Sequence, residues 1–246
     1  MGESGQGERC ARIFGVRLER VMSRTCGDRV PTVCKELILR LLYLVQRGRG
    51  KRRGGLFCRL PAEDRLERAK RRVDTEGSAK EAIEEMDEQL LAGLLRLYLM
   101  ELPVSVLVQD LYECFLDNAE RVERLKVMVQ KRLPRCHRWL AEVLVLFLLG
   151  LEGGGYVELE ELAMVFGQAM LRCPRGKRET LRSCARRVVL LKTLMYNFEL
   201  VFEPGEECCS LVETVCQVGV SHQRALVDLV YREAVWMAKR VEGGIG

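Results

Sequence analysis

The strongest chemical signal in the chain is cationic. Between Arg47 and Arg72 stand eleven lysines and arginines against three acids (Glu63, Asp64 and Glu67), a local excess of +8 in a chain of net charge +5. Lys51-Arg52-Arg53 is the tightest run, just ahead of Gly54-Gly55-Leu56-Phe57-Cys58-Arg59. Such a patch suits oxyanions, on an acidic protein surface or an anionic lipid face. Phe57 is the one aromatic residue in the stretch, so stacking platforms are absent and nucleic acid is not an expected partner. A charged run is also what the wet side of any helix looks like, and residues 63–73 have such a side.

Other chemistry is poorly supplied. His137 and His222 have no partner at ligand spacing, and Cys208-Cys209 with Cys216 makes no C-x-x-C pair. No metal and no cofactor are therefore expected. The chain has no G-x-x-x-x-G-K-[ST] phosphate loop and no nucleophile in a recognisable motif, so it is not expected to be an enzyme in its own right.

The elements that must position these groups are helical in period. Hydrophobic content of 48% and charge of 30% describe a globular chain, and its length suffices for a core without disulfides. The eleven cysteines are odd in number and irregular in spacing. Cys34, Cys114, Cys136 and Cys184 sit inside apolar helical patterns, as reduced thiols of a cytoplasmic core do. Residues 1–12 are polar and Gly-rich, with Gln6 where a myristoylation signal has Ser or Thr. The longest apolar stretch, Trp139 to Leu151, holds Glu142 and is too short to span a bilayer. A soluble cytoplasmic protein, peripheral at membranes if the patch engages them, is expected.

Periodicity predicts nine helices and no strand. The first starts at Pro31 and runs through Leu37 and Leu44 to Gly48. The second starts at Pro61 with Leu66, Ala69 and Val73 on one face. A third is capped by Asp87 and ends before Pro103. Ser105 and Asn118 are the expected caps of a short fourth and a fifth. After Pro134 comes a very apolar helix over 137–149, then helices near 158–171, 178–202 and 223–240.

Three segments, in order, resemble the Rho GTPase-activating (RhoGAP) domain family. Phe14-Gly15-Val16-Arg17-Leu18 with Val30-Pro31-Thr32-Val33 resembles F-G-V-x-L and V-P-x-V. Leu94-Leu95-Arg96-Leu97-Tyr98-Leu99-Met100-Glu101-Leu102-Pro103 resembles L-L-K-x-Y-L-R-E-L-P. Leu162-Ala163-Met164-Val165-Phe166-Gly167-Gln168 resembles N-L-A-x-V-F-G-P without its first and last letters, and Gly55-Leu56-Phe57 stands where the family has G-I-F. The resemblance covers about residues 13–203, leaving a tail over 1–12 and a helical extension over 204–246. It implies an all-α bundle, and a Rho-family small GTPase as partner. Such domains insert an arginine in trans beside the transferring phosphoryl group, worth roughly three to five orders of magnitude in rate.

The departures decide the mechanism. The family's finger follows the phenylalanine of G-x-F-R directly, and here that position is Cys58. The register holds without gaps to Arg65-Leu66, where the family has R-V. A thiol is short and mostly neutral near pH 7, so it does not replace a guanidinium. The family's lysine is Arg96, its next arginine Met100, its asparagine Glu161 and its proline Gln168. Glu161, beside Glu158 and Glu160, is expected to cap or solvate its helix. One reading makes Arg59 a displaced finger on a loop freed by Gly54 and Gly55. The other makes the domain a binder that leaves hydrolysis unaccelerated, and the ungapped register with the loss at Met100 favours it. A helical adaptor using Lys51, Arg52 and Arg53 on anionic membranes is the reading from another class.

Overall fold

The computed structural model describes residues 12–24, 30–48, 55–75 and 79–203. The basic run Lys51-Arg52-Arg53, His222 and the extension over 204–246 lie outside the described residues. Within them the chain is all-α, as expected, and no strand forms. It has eleven α-helices: α1 (Leu18–Met22), α2 (Thr32–Arg47), α3 (Glu63–Thr75), α4 (Ala79–Glu84), α5 (Glu88–Glu101), α6 (Tyr112–Asp117), α7 (Val122–Val127), α8 (Arg135–Gly153), α9 (Leu159–Met170), α10 (Leu181–Tyr196) and α11 (Phe198–Phe202). None is long and apolar enough to cross a membrane.

Eight of the nine expected helices fall within the described residues, where eleven form. The short helices α1 and α4 escaped because five or six residues hold too little periodicity to register. The stretch near 178–202 divides at Asn197, whose side chain donates to Thr193 O at 3.0 Å and closes α10. Two expected caps were also misplaced. Ser105 is fully buried, and the chain turns through a short 3-10 segment, Gln109–Leu111, before α6. Asn118 closes α6 rather than opening α7, its amide donating back to Cys114 O at 2.8 Å. Asp87 does cap α5, accepting from Leu90 N at 2.9 Å.

The central layer is α5, α8 and α9, buried on most sides as their apolar sequences require. Helix α2 lies on α5 and α4, and α10 lies along α9. The N-terminal segment is strapped on by Asp74, whose Oδ1 accepts from Ile13 N at 2.8 Å and Phe14 N at 3.2 Å. Phe14 then meets Tyr98 edge to face, 5.6 Å between centroids. Cys34 is completely buried, and burial pushes its thiol up to about 12, so it behaves as a core hydrophobe.

Candidate functional site

The cluster is built around the turn that follows the basic run. Gly55 has φ +86°, a conformation that a side chain resists. It lets the chain double back so that Arg59 N donates to Gly55 O at 2.9 Å. Leu56 and Phe57 point inward. Phe57 is essentially fully buried, edge-on to Phe166 of α9 at 4.9 Å and to Phe147 of α8 at 6.4 Å. Such an anchor contributes about 1.5–3 kcal/mol through apolar burial. At the far end of the turn, Pro61 presses on α5 where Gly93 leaves room: a Cβ there would stand 2.7 Å from Pro61 Cδ. Pro61 does not begin a helix, since α3 starts at Glu63.

Polar groups fix the backbone between these anchors. Glu161, in the first turn of α9, accepts from Gly55 N at 2.7 Å and from Phe57 N at 3.0 Å. Arg96 of α5 donates from Nη1 to Phe57 O at 3.3 Å, and Gln89 donates to Arg59 O at 3.1 Å. Glu161 is therefore buried, neither a cap nor a solvated residue. A buried carboxylate needs partners, and the two loop N–H groups supply them. An asparagine at this place would offer one oxygen where Glu161 offers two.

Cys58 and Arg59 are both exposed. Partial burial and the neighbouring Glu161 carboxylate push the Cys58 thiol up, with Arg96 opposing, so the thiol is neutral at pH 7. The Arg59 side chain folds back over the turn, its Nε 3.3 Å from where a Cβ on Gly55 would stand. A neutral thiol thus stands directly after Phe57 on a backbone held from three sides.

Of the residues read from sequence, Gly55, Phe57, Cys58, Arg59, Arg96 and Glu161 come together. Met100 lies one turn beyond Arg96 on α5 and is half-buried, and Gln168 is exposed two turns beyond Glu161 on α9. Sequence reasoning missed Gln89, although Gln89 and Arg96 share a face of α5 at i, i+7 spacing. It also missed two exposed apolar side chains, Leu60 of the turn (53% exposed) and Met164 of α9 (57%). Arg172 was missed too: it donates to Met100 O at 2.5 Å and to Leu102 O, closing the carbonyl end of α5.

A family model of the RhoGAP domain matches residues 37–175, more than half of the chain. Among solved structures, human Rho GTPase activating protein 15 is similar at 21% identity and a TM-score of 0.65, over 80% of this chain and 94% of that one. The BH domain of GRAF, the GTPase regulator associated with focal adhesion kinase, is similar at 19% identity and a TM-score of 0.56, over 70% of this chain and 96% of that one. At such identities these likenesses speak for the fold. The chain belongs to the RhoGAP domain family.

Proposed function

We propose that this domain binds a Rho-type small G protein through the 55–60 turn and the adjoining faces of α5 and α9, and stimulates GTP hydrolysis weakly or not at all. Regulation of Rho-family GTPases is the work of the family. The observation that carries the finer reading is the fixed turn: Glu161 and Arg96 hold the backbone on both sides of Phe57 while the next residue is Cys58. Moving Arg59 into the place of Cys58 requires breaking those bonds, each worth about 1.5–3 kcal/mol where a charged group takes part. The exposed Leu60 and Met164 provide apolar surface for docking without a finger. We place the protein in the cytoplasm, with the charge of Lys51-Arg52-Arg53 adding attraction to anionic membrane. A liposome pull-down at two salt concentrations tests that addition, because lipid attraction weakens with screening.

The central test is single-turnover GTP hydrolysis by a panel of Rho-type G proteins, with binding measured in parallel. Wild type is expected to bind and leave the rate near its intrinsic value. Cys58→Arg is expected to raise it roughly tenfold or more, a fraction of what a finger delivers. If wild type accelerates hydrolysis and Arg59→Ala abolishes this, Arg59 is a displaced finger and the binding-only reading is wrong.

A further inference from the structure

Away from the turn, the fold gathers three metal-ligating groups that lie in no motif. Glu19 of α1, with Cys136 and His137 in the first turn of α8, bring a carboxylate oxygen, a thiol sulfur and an imidazole nitrogen within 4.8 Å of one another. Sequence spacing gave His137 no partner; tertiary packing supplies Glu19 from 118 residues away. We propose that these three side chains bind one divalent zinc-like cation, which ties the N-terminal segment to α8.

The imidazole carries the argument. His137 is 1% exposed at its side chain, with Nε2 3.2 Å from Glu19 Oε1 and Nδ1 3.1 Å from Val106 O. Val106 O is an acceptor, and so is Glu19 when ionised, so the ring meets an acceptor at each nitrogen. With Nδ1–H on the carbonyl, Nε2 faces the carboxylate. A proton or a metal ion can stand between those two atoms, and the Cys136 sulfur alongside favours the metal. The carbonyl-held Nδ1–H with Nε2 free is the arrangement that orients metal-bound histidines.

The remaining geometry and chemistry select the ion. Tetrahedral bonds of about 2.0–2.3 Å put neighbouring ligand atoms roughly 3.3–3.6 Å apart, and the Glu19–His137 separation is already at that edge. Sulfur and nitrogen donors favour zinc over calcium or magnesium, which take oxygen ligands. On binding, the Cys136 S–H bond breaks, its proton leaves to solvent and a sulfur–metal bond forms. Thiolate and carboxylate then balance the two positive charges, with no oxidant or reductant involved. Burial and the Glu19 carboxylate push the Cys136 thiol up, with the backbone N–H groups of His137 and Cys136 opposing, and a bound dication reverses that balance. Glu19 is 53% exposed at its side chain, so ion and water have a way in.

Cobalt(II) substitutes for zinc and reports its ligands. The full chain, reduced and metal-free, is titrated with cobalt(II), followed by absorbance, then with competing zinc. Expected are a thiolate-to-cobalt band in the near ultraviolet and an affinity at least tenfold lower in both Cys136→Ser and Glu19→Gln. Zinc is expected to raise the Tm of wild type, and to raise that of Glu19→Gln by clearly less at the same concentration. Glu19 is exposed enough for its variant to fold, and circular dichroism checks this. Equal titration of wild type and variants places binding on other cysteines and overturns the proposal. Absence of saturable binding by wild type also overturns it, leaving a hydrogen-bonded Glu19–His137 pair.

Discussion

Glu161 and Phe57 are 104 residues apart in sequence, yet Glu161 Oε1 accepts the Phe57 N–H at 3.0 Å. The other oxygen takes Gly55 N–H at 2.7 Å. Glu161→Gln keeps one acceptor and turns an NH2 toward an N–H. A loss of about 1.5–3 kcal/mol is expected in urea denaturation, with faster hydrogen exchange at the Gly55 and Phe57 amides. An unchanged midpoint and unchanged exchange would mean that the carboxylate does not hold the turn.

Gly93→Ala separates helix propensity from loop seating. In an open helix the change stabilises by about 1 kcal/mol. Here the new Cβ meets Pro61 Cδ at 2.7 Å and Leu66 Cδ1 at 3.2 Å, an overpacking that costs about 1–3 kcal/mol. Net destabilisation is expected, together with weaker G-protein binding, as Pro61 and the turn are pushed off α5. A more stable variant with wild-type affinity would contradict the seating.

Asp87 links the start of α5 to Arg65, which it meets at 2.6 Å. Burial opposes its charge, but the Leu90 N–H, the Arg65 guanidinium and the Gln89 N–H outweigh this, and its carboxyl lies below the ordinary range. A depressed carboxylate contributes its stability in full above about pH 4 and loses it as pH falls through the folded value. Asp87→Ala is therefore expected to cost about 1 kcal/mol at pH 7. The gap to wild type should close on acidification below about pH 4, read from denaturation midpoints across pH. A gap that persists at low pH would argue for lost packing.

Arg172 closes α5 with one guanidinium on two carbonyls, those of Met100 and Leu102. Arg172→Met is expected to cost about 2–3 kcal/mol, since both half-buried acceptors lose a charged donor. Arg172→Lys should recover little of it, because an ammonium lacks the planar fork. Full recovery by lysine in thermal melts would show that charge alone is at work.

Much of this architecture is written locally. Apolar residues every three or four positions mark α2, α5, α8 and α9, and Asp87, Pro31 and Gly48 mark ends, because helix formation and capping depend on neighbours within one turn. The G-L-F segment and its Cys58 were equally legible, since they are an ungapped run of residue types. Sequence misread the caps at Ser105 and Asn118, where the competing partner is a packed core or a backward bond to Cys114.

The role of Glu161 was beyond local reading. In the sequence it is one of three acids at a helix start, and acids there are normally solvated or favoured by the helix dipole. It is buried because Phe57, wedged between Phe147 and Phe166, draws two N–H groups across 104 residues onto its carboxylate. Glu19, Cys136 and His137 meet for a similar reason, when α1 packs on α8. Periodicity and capping act within a turn of helix, so the chain order alone carries them. Burial of a charge, and the company it keeps there, depend on which distant segments share a core, and packing sets that.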